Sequence, residues 1–201
     1  HLLLVRLSIT PLNYSGEVQV RAGLNAAVET LGHLHWDWLD QEVCEEQTSD
    51  NEPVTQAEAS LSLRTRKTGI EVAMSQRLAI LGGDKAGIAG WDVHGHPTLA
   101  ASVQAKEGEM VIFEKVMAIY TSQEVHQPWQ AARDTIKQQP PLAWEDRLKA
   151  HKIAWDAEWQ ACDVAIQGDD EVQLAVRFNL FQLLIAAPRK DGRVSIGAKT
   201  L

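Results

Sequence analysis

Hydrophobic and polar residues alternate along most of the first 121 positions. A period of two is the mark of a strand with one buried face. Leu2 to Thr10 opens with an apolar run, then sets Val5, Leu7 and Ile9 against Arg6 and Ser8. Pro11, Asn13, Ser15 and Gly16 form a turn cluster, and Glu17 to Arg21 alternates again. Ala59 to Thr65 and Ile70 to Ser75 read as half-buried strands, parted by the turn residues Lys67, Thr68 and Gly69. Thr98 to Ala105 is a weaker strand. Met110 to Tyr120 is a strong one, with Val111, Phe113, Lys115 and Met117 opposite Ile112, Glu114, Val116 and Ala118. Short strands separated by turn signals predict an antiparallel β-sandwich.

From Gln127 the period lengthens to 3.6, and Pro128 suits the first turn of a helix reaching about Gln138. Gln138-Gln139-Pro140-Pro141 is a break. Trp144, Leu148, His151, Trp155, Trp159 and Cys162 then share one face of a second, amphipathic helix. Its three tryptophans read as packing ahead of a sugar platform. Gly168, Asp169 and Asp170 start a third helix, Glu171 to Ala187, which Pro188 ends. From Leu174 it is apolar almost all round (Val176, Phe178, Leu180, Phe181, Leu183, Leu184, Ile185), the pattern of a helix covered on two or more sides. Asn179 and Gln182 share a face, placed to bond a neighbouring helix or to line a cavity.

Composition narrows the class. The 201 residues suit one domain and part of another, and 45% hydrophobic with 23% charged residues is the profile of a folded protein. A net charge of −8 with no basic patch argues against nucleic acid and anionic membrane. No apolar run approaches the roughly 20 residues that span a bilayer. Cys44 and Cys162 lack metal-like spacing and suit free thiols in a reducing compartment, with a single disulfide left open. Both ends look cut, at a strand near His1 and a loop at Leu201.

Candidate chemistry is sparse. Asp37, Asp40, Glu42, Glu45, Glu46, Asp50 and Glu52 form a like-charged run that reads as a mobile acidic loop, because its spacing does not match a calcium loop. His33/His35 and His94/His96 could each offer two metal ligands, too few for a site, and read as surface histidines. Leu81 to Gly90, with Lys85, misses the phosphate-loop spacing and reads as a loop or hairpin. No metal site, serine elbow or Cys-His pattern can be assigned.

The carboxyl-terminal segment VRFNLFQLLIAAPRKDGRVSIGAKTL closely resembles the first barrel helix and following loop of glycoside hydrolase family 65, through RFNLFQLL and SIGAKTL. TPLNYSG at residues 10 to 16 resembles that family's amino-terminal domain. The resemblance is strong over residues 110 to 201 and looser over 2 to 80. It implies an antiparallel β-sandwich of the galactose mutarotase-like supersandwich type over residues 1–122, a helical linker over 123–162, and the start of an (α/α)6 barrel over 163–201.

The activity implied is that of an inverting disaccharide phosphorylase, which cleaves an α-glucosyl disaccharide with inorganic phosphate to give β-glucose 1-phosphate and a sugar. The alternatives are a hydrolase of the same family, acid trehalase-like, and a non-catalytic carbohydrate-binding sandwich. Inverting cleavage needs an acid to protonate the leaving oxygen and a nucleophile on the opposite face. The resemblance implies that the acid is a glutamate beyond Leu201, so no catalytic residue is assigned here and this chain alone is expected to be inactive. Lys199, in the IGAKTL loop, is the candidate substrate-proximal residue, and pairing with a neighbouring group is its plainer role. The expected partners are a disaccharide and phosphate, with no cofactor and no nucleic acid or membrane. A homodimer and a cytoplasmic location follow the family and the lack of a secretion signal.

Overall fold

The computed structural model describes residues 2–44, 47–48, 54–140 and 144–186. The chain divides into two units, His1–Trp144 and Glu145–Leu201.

The first unit is built from eleven strands among the described residues: β1 Leu2–Ile9, β2 Gly16–Gly23, β3 Glu29–Thr30, β4 His33–Leu34, β5 Trp36–Val43, β6 Gln47–Thr48, β7 Val54–Thr65, β8 Glu71–Leu81, β9 Asp84–Val93, β10 His96–Ala105 and β11 Val111–Thr121. A six-stranded antiparallel sheet runs in the order β1-β11-β8-β7-β5, with β6 also on β7. A three-stranded antiparallel sheet has the order β2-β10-β9, and β3 pairs with β4.

Register decides which residues meet. Leu7, Phe113 and Ile80 lie in one row across three strands, and alternate residues point to opposite faces. The inner face of the large sheet therefore carries Ala57, Ala59, Leu78, Ile80, Val111 and Phe113. These pack on Ala22, Ile88, Leu99, Ala101 and Val103 from the small sheet. Gln76 adds a polar cross-link between the sheets, its Nε2 donating to the Ala22 carbonyl at 2.9 Å. The sandwich expected from the alternation is present, followed by helices.

The outer face of the large sheet is covered by α1 (Pro128–Gln138). Pro128 occupies the first turn, where a missing N–H costs nothing. Ile136 is fully buried against Val116 and Ala118, with Leu2, Leu4 and Tyr120 around them. Arg77, 5% exposed, reaches the carboxyl end of α1 and donates through Nη2 to the carbonyls of Gln139 and Pro140, at 2.6 and 3.3 Å. A cation there answers the negative end of the helix dipole.

Two expectations are corrected. The acidic stretch from Asp37 is not a loop at its start: Trp36–Val43 is strand β5, paired with β7. Asp37 is neutralised by Arg66 and Glu42 by Arg133, each at 2.8 Å, so the like charges do not repel the chain out of the sheet. Of that stretch, Glu45, Glu46, Asp50 and Glu52 lie outside the described residues. The second correction concerns β1. Its alternation holds, but Leu3, Val5 and Leu7 stay 45, 49 and 44% exposed, while Arg6 is the better buried. The three-stranded sheet presents half as many strands as the six-stranded sheet it packs on.

The second unit holds α2 (Trp144–Cys162) and α3 (Asp170–Ala186). Leu148, Trp155, Trp159 and Cys162 of the expected stripe on α2 are half-buried, whereas His151 remains exposed. Trp155 lies tilted with its ring centroid 5.2 Å from Phe181 and 6.1 Å from Trp159, so it serves packing, as expected, and its partner is α3. Asn179 bonds back to the Ala175 carbonyl of its own helix.

Candidate functional site

The start of α3 is organised by its acidic residues. Asp169 Oδ1 accepts from the backbone N–H groups of Glu171 and Val172, both at 3.0 Å, and so caps the helix. The preceding residues are fastened along α3. Gln173 accepts from the Ile166 N–H and donates to the Val164 carbonyl, and Arg177 clasps Asp163 through two nitrogens at 2.9 and 2.6 Å. The Arg177 hydrogen bond holds the Asp163 carboxyl below its usual range. A carboxylate so held is a poor proton donor, and these acids serve the scaffold. No residue of α3 is buried, and Leu174, Phe178, Leu183 and Ile185 are 69, 59, 57 and 52% exposed. Lys199, with every residue from Ala187 on, lies outside the described residues.

A general acid for glycoside chemistry needs a raised pKa. Among the described residues Glu58 is the carboxylate pushed up, chiefly by burial and against the attraction of Arg77, Lys137 and Arg133. It lies on the sheet face that α1 covers, among those cations, where a structural role accounts for it.

The histidine pairs do not form shared ligand sets. His94 sits in the β9–β10 turn with its ring 4.5 Å from Trp38, while His96 starts β10. His33 and His35 line a groove of about 440 Å³ with Thr65, Arg66, Lys67 and Thr68. No three His, Cys, Asp or Glu side chains gather as a metal centre among the described residues. Cys44 and Cys162 are both free, and burial and Glu42 push the Cys44 thiol up. Leu81 to Gly90 forms the β8–β9 hairpin, with Gly82 and Gly83 in the left-handed region. No helix among the described residues is long and apolar enough to cross a membrane.

One feature escaped sequence reasoning. On the outer face of the small sheet, Trp91 is 42% exposed and the Arg21 guanidinium lies over its ring, 4.6 Å from the centroid. Together with Glu17, Gln19, Ala89, Ala100 and Ser102 they line a cleft of about 190 Å³. The signal was present as the polar side of the β2 alternation. Its partners lie some seventy residues away on β9, and only the register unites them.

Residues 1–158 match the family described as "Glycosyl hydrolase family 65, N-terminal domain". The chain belongs to glycosyl hydrolase family 65. Within the family, it is 26% identical over its whole length to a kojibiose phosphorylase of Halothermothrix orenii, covering 26% of that protein. Half of the chain is 34% identical to a 1,2-alpha-glucosylglycerol phosphorylase of Bacillus selenitireducens, covering 13% of it. A 56-residue stretch, 28% of the chain, is 38% identical to a maltose phosphorylase of Bacillus subtilis, covering 7% of it. The family 65 chain spans about a quarter of the length of the kojibiose phosphorylases it matches.

Proposed function

We propose that this chain is part of an inverting disaccharide phosphorylase that cleaves an α-glucosyl disaccharide with inorganic phosphate, releasing β-glucose 1-phosphate and a sugar. The observation that carries the reading is the match over the whole chain to kojibiose phosphorylases, with other phosphorylases matching parts of it. In this reading residues 1–122 are the sandwich, 123–162 the linker, and 163–201 the first helix and loop of the catalytic barrel. The apolar surface of α3 supports that division, because a helix apolar on every side requires cover on more than one.

The chemistry divides between two reactants. A glutamic acid outside this chain protonates the leaving oxygen, and phosphate attacks the anomeric carbon from the opposite face, inverting it. No residue described here donates or accepts that proton. In this reading the Lys199 ammonium bonds hydroxyls of the glucosyl unit. The reaction runs in the cytoplasm, where phosphorolysis retains the bond energy as a sugar phosphate. A family 65 hydrolase would replace phosphate by water and differ in products.

The test uses the full-length protein that carries this chain. Maltose, trehalose, kojibiose and nigerose are each supplied with and without inorganic phosphate, and glucose 1-phosphate and glucose are assayed separately. Phosphate-dependent glucose 1-phosphate from one disaccharide supports the reading and names the substrate. Two glucoses per disaccharide without phosphate overturns it in favour of hydrolysis.

A further inference from the structure

We propose that the outer face of the three-stranded sheet carries a saccharide subsite, in which one pyranose ring packs on Trp91 and bonds Gln19 and Ser102 through its hydroxyls, with Glu17 at the far end of the cleft. The register builds the cleft. Arg21, Ala100 and Ala89 form one row across β2, β10 and β9, and Gln19, Ser102 and Gly87 form the next. Small residues on the middle and far strands make the floor, while the long polar side chains of β2 make a wall. Those wall residues recur every second position, at intervals of about 6.8 Å. Trp91 adds an apolar surface, and the Arg21 guanidinium at 4.6 Å from its centroid restrains the ring.

The chemistry of these groups selects the ligand. A pyranose has apolar C–H faces and a rim of hydroxyls, each of which both donates and accepts. It needs an aromatic surface with donors and acceptors beside it, and the cleft provides an indole, a carboxylate, an amide and a hydroxyl together. Glu17 and Arg21 cancel in charge, which favours a neutral polyol over an ion. A volume of about 190 Å³ leaves room for several waters. A sugar's hydroxyls reproduce the hydrogen bonds of the waters they displace, and its C–H face does not have to. A cleft this open predicts weak, millimolar binding. The subsite stands or falls independently of which reaction the protein catalyses.

The probes are maltose and glucose, titrated into the full-length protein and followed by tryptophan fluorescence and saturation-transfer NMR. Trp91→Ala removes the aromatic surface, and Ala100→Leu fills the floor while keeping the indole. Both positions lie on the outer surface, and a urea midpoint checks that each variant folds. The expected result is a millimolar binding event weakened at least tenfold in both variants. A Gln19→Ala/Ser102→Ala double variant, which leaves the ring in place, should weaken it about fivefold. Binding at the catalytic pocket persists in every variant; absence of any further binding event overturns the subsite, and so does a set of binding events of which none is weakened in the variants.

Discussion

Arg6 and Glu114 face each other across the β1–β11 ladder and form an ion pair of 2.9 Å, with Glu114 only 5% exposed. The pair fastens the edge strand to the sheet beneath α1. Glu114 also opposes the charge of Arg77, whose guanidinium burial pulls down from its usual pKa while Glu58 and Glu114 act against that pull. Removing the carboxylate takes a buried counter-charge from both guanidiniums and leaves Glu58 to oppose the charge of Arg77. Breaking a buried pair from one side costs roughly 3 kcal/mol. Glu114→Ala should therefore lower stability by about that amount, and Arg6→Ala by less, since Glu114 then keeps Arg77 as a counter-charge. Urea denaturation of both single variants and the double variant measures the coupling. A double variant no worse than Arg6→Ala alone would show that Glu114 does nothing further for Arg77.

Lys115 projects from the inner face of β11, opposite Leu78 and Val5. Burial pulls its pKa below the usual lysine value. A lysine with a lowered folded pKa binds fewer protons in the native than in the unfolded state as pH rises through the folded pKa. Stability consequently increases with pH between the folded pKa and about 10.5, and the full burial cost is present below the folded pKa. Lys115→Met should raise stability at pH 7 by roughly 1 kcal/mol. It should also flatten the rise between neutral and alkaline pH. Urea midpoints at pH 7 and pH 10 decide the matter; an unchanged pH slope in the variant contradicts the assignment.

Gly83 turns the chain from β8 into β9 with φ +73°, and a Cβ there would lie 2.3 Å from Val103 Cγ2 and 3.1 Å from the Gln104 carbonyl. Both conformation and space exclude a side chain. The left-handed backbone alone costs a non-glycine residue about 1–2 kcal/mol. Gly83→Ala should exceed that figure in a thermal or urea melt. Gly69, with φ +67° and nothing within 4 Å, should lose only the conformational part on substitution by alanine.

The apolar surface of α3 predicts how the 201-residue chain behaves without further protein to cover it. Leu174, Phe178, Leu183 and Ile185 together exceed the scattered exposure usual on a soluble surface. The chain should bind an apolar dye, associate with concentration, and show no turnover. Replacing Leu174 and Phe178 by Gln and Glu should reduce dye binding several-fold. Monodisperse, dye-negative behaviour of the unaltered chain would contradict this account.

Legibility in the sequence followed local chemistry. β7, β8 and β11 were visible because their alternation is clean, although β7 and β8 extend further than the clearest alternation suggested. α1 was visible through Pro128 and its period. β5 was hidden because Asp37, Asp40 and Glu42 occupy it, and because an irregularity between Trp38 and Asp40 breaks the period of two. The cations that make it possible, Arg66 and Arg133, are remote in sequence. The exposure of Leu3, Val5 and Leu7 could not be read locally, because it depends on the width of the opposing sheet. The cleft at Trp91 likewise needed the β2-β10-β9 register. The family itself was legible from RFNLFQLL and SIGAKTL, the latter beyond the described residues.

The first products of turnover separate phosphorolysis with inversion from every other outcome. The full-length protein carrying this chain is incubated with the disaccharide it turns over, with and without inorganic phosphate, and the first products are followed by proton NMR. Phosphorolysis with inversion gives phosphate-dependent β-glucose 1-phosphate and one free sugar in equal amounts. Free glucose alone, formed without phosphate, or the α-anomer of glucose 1-phosphate as the first product, would contradict it.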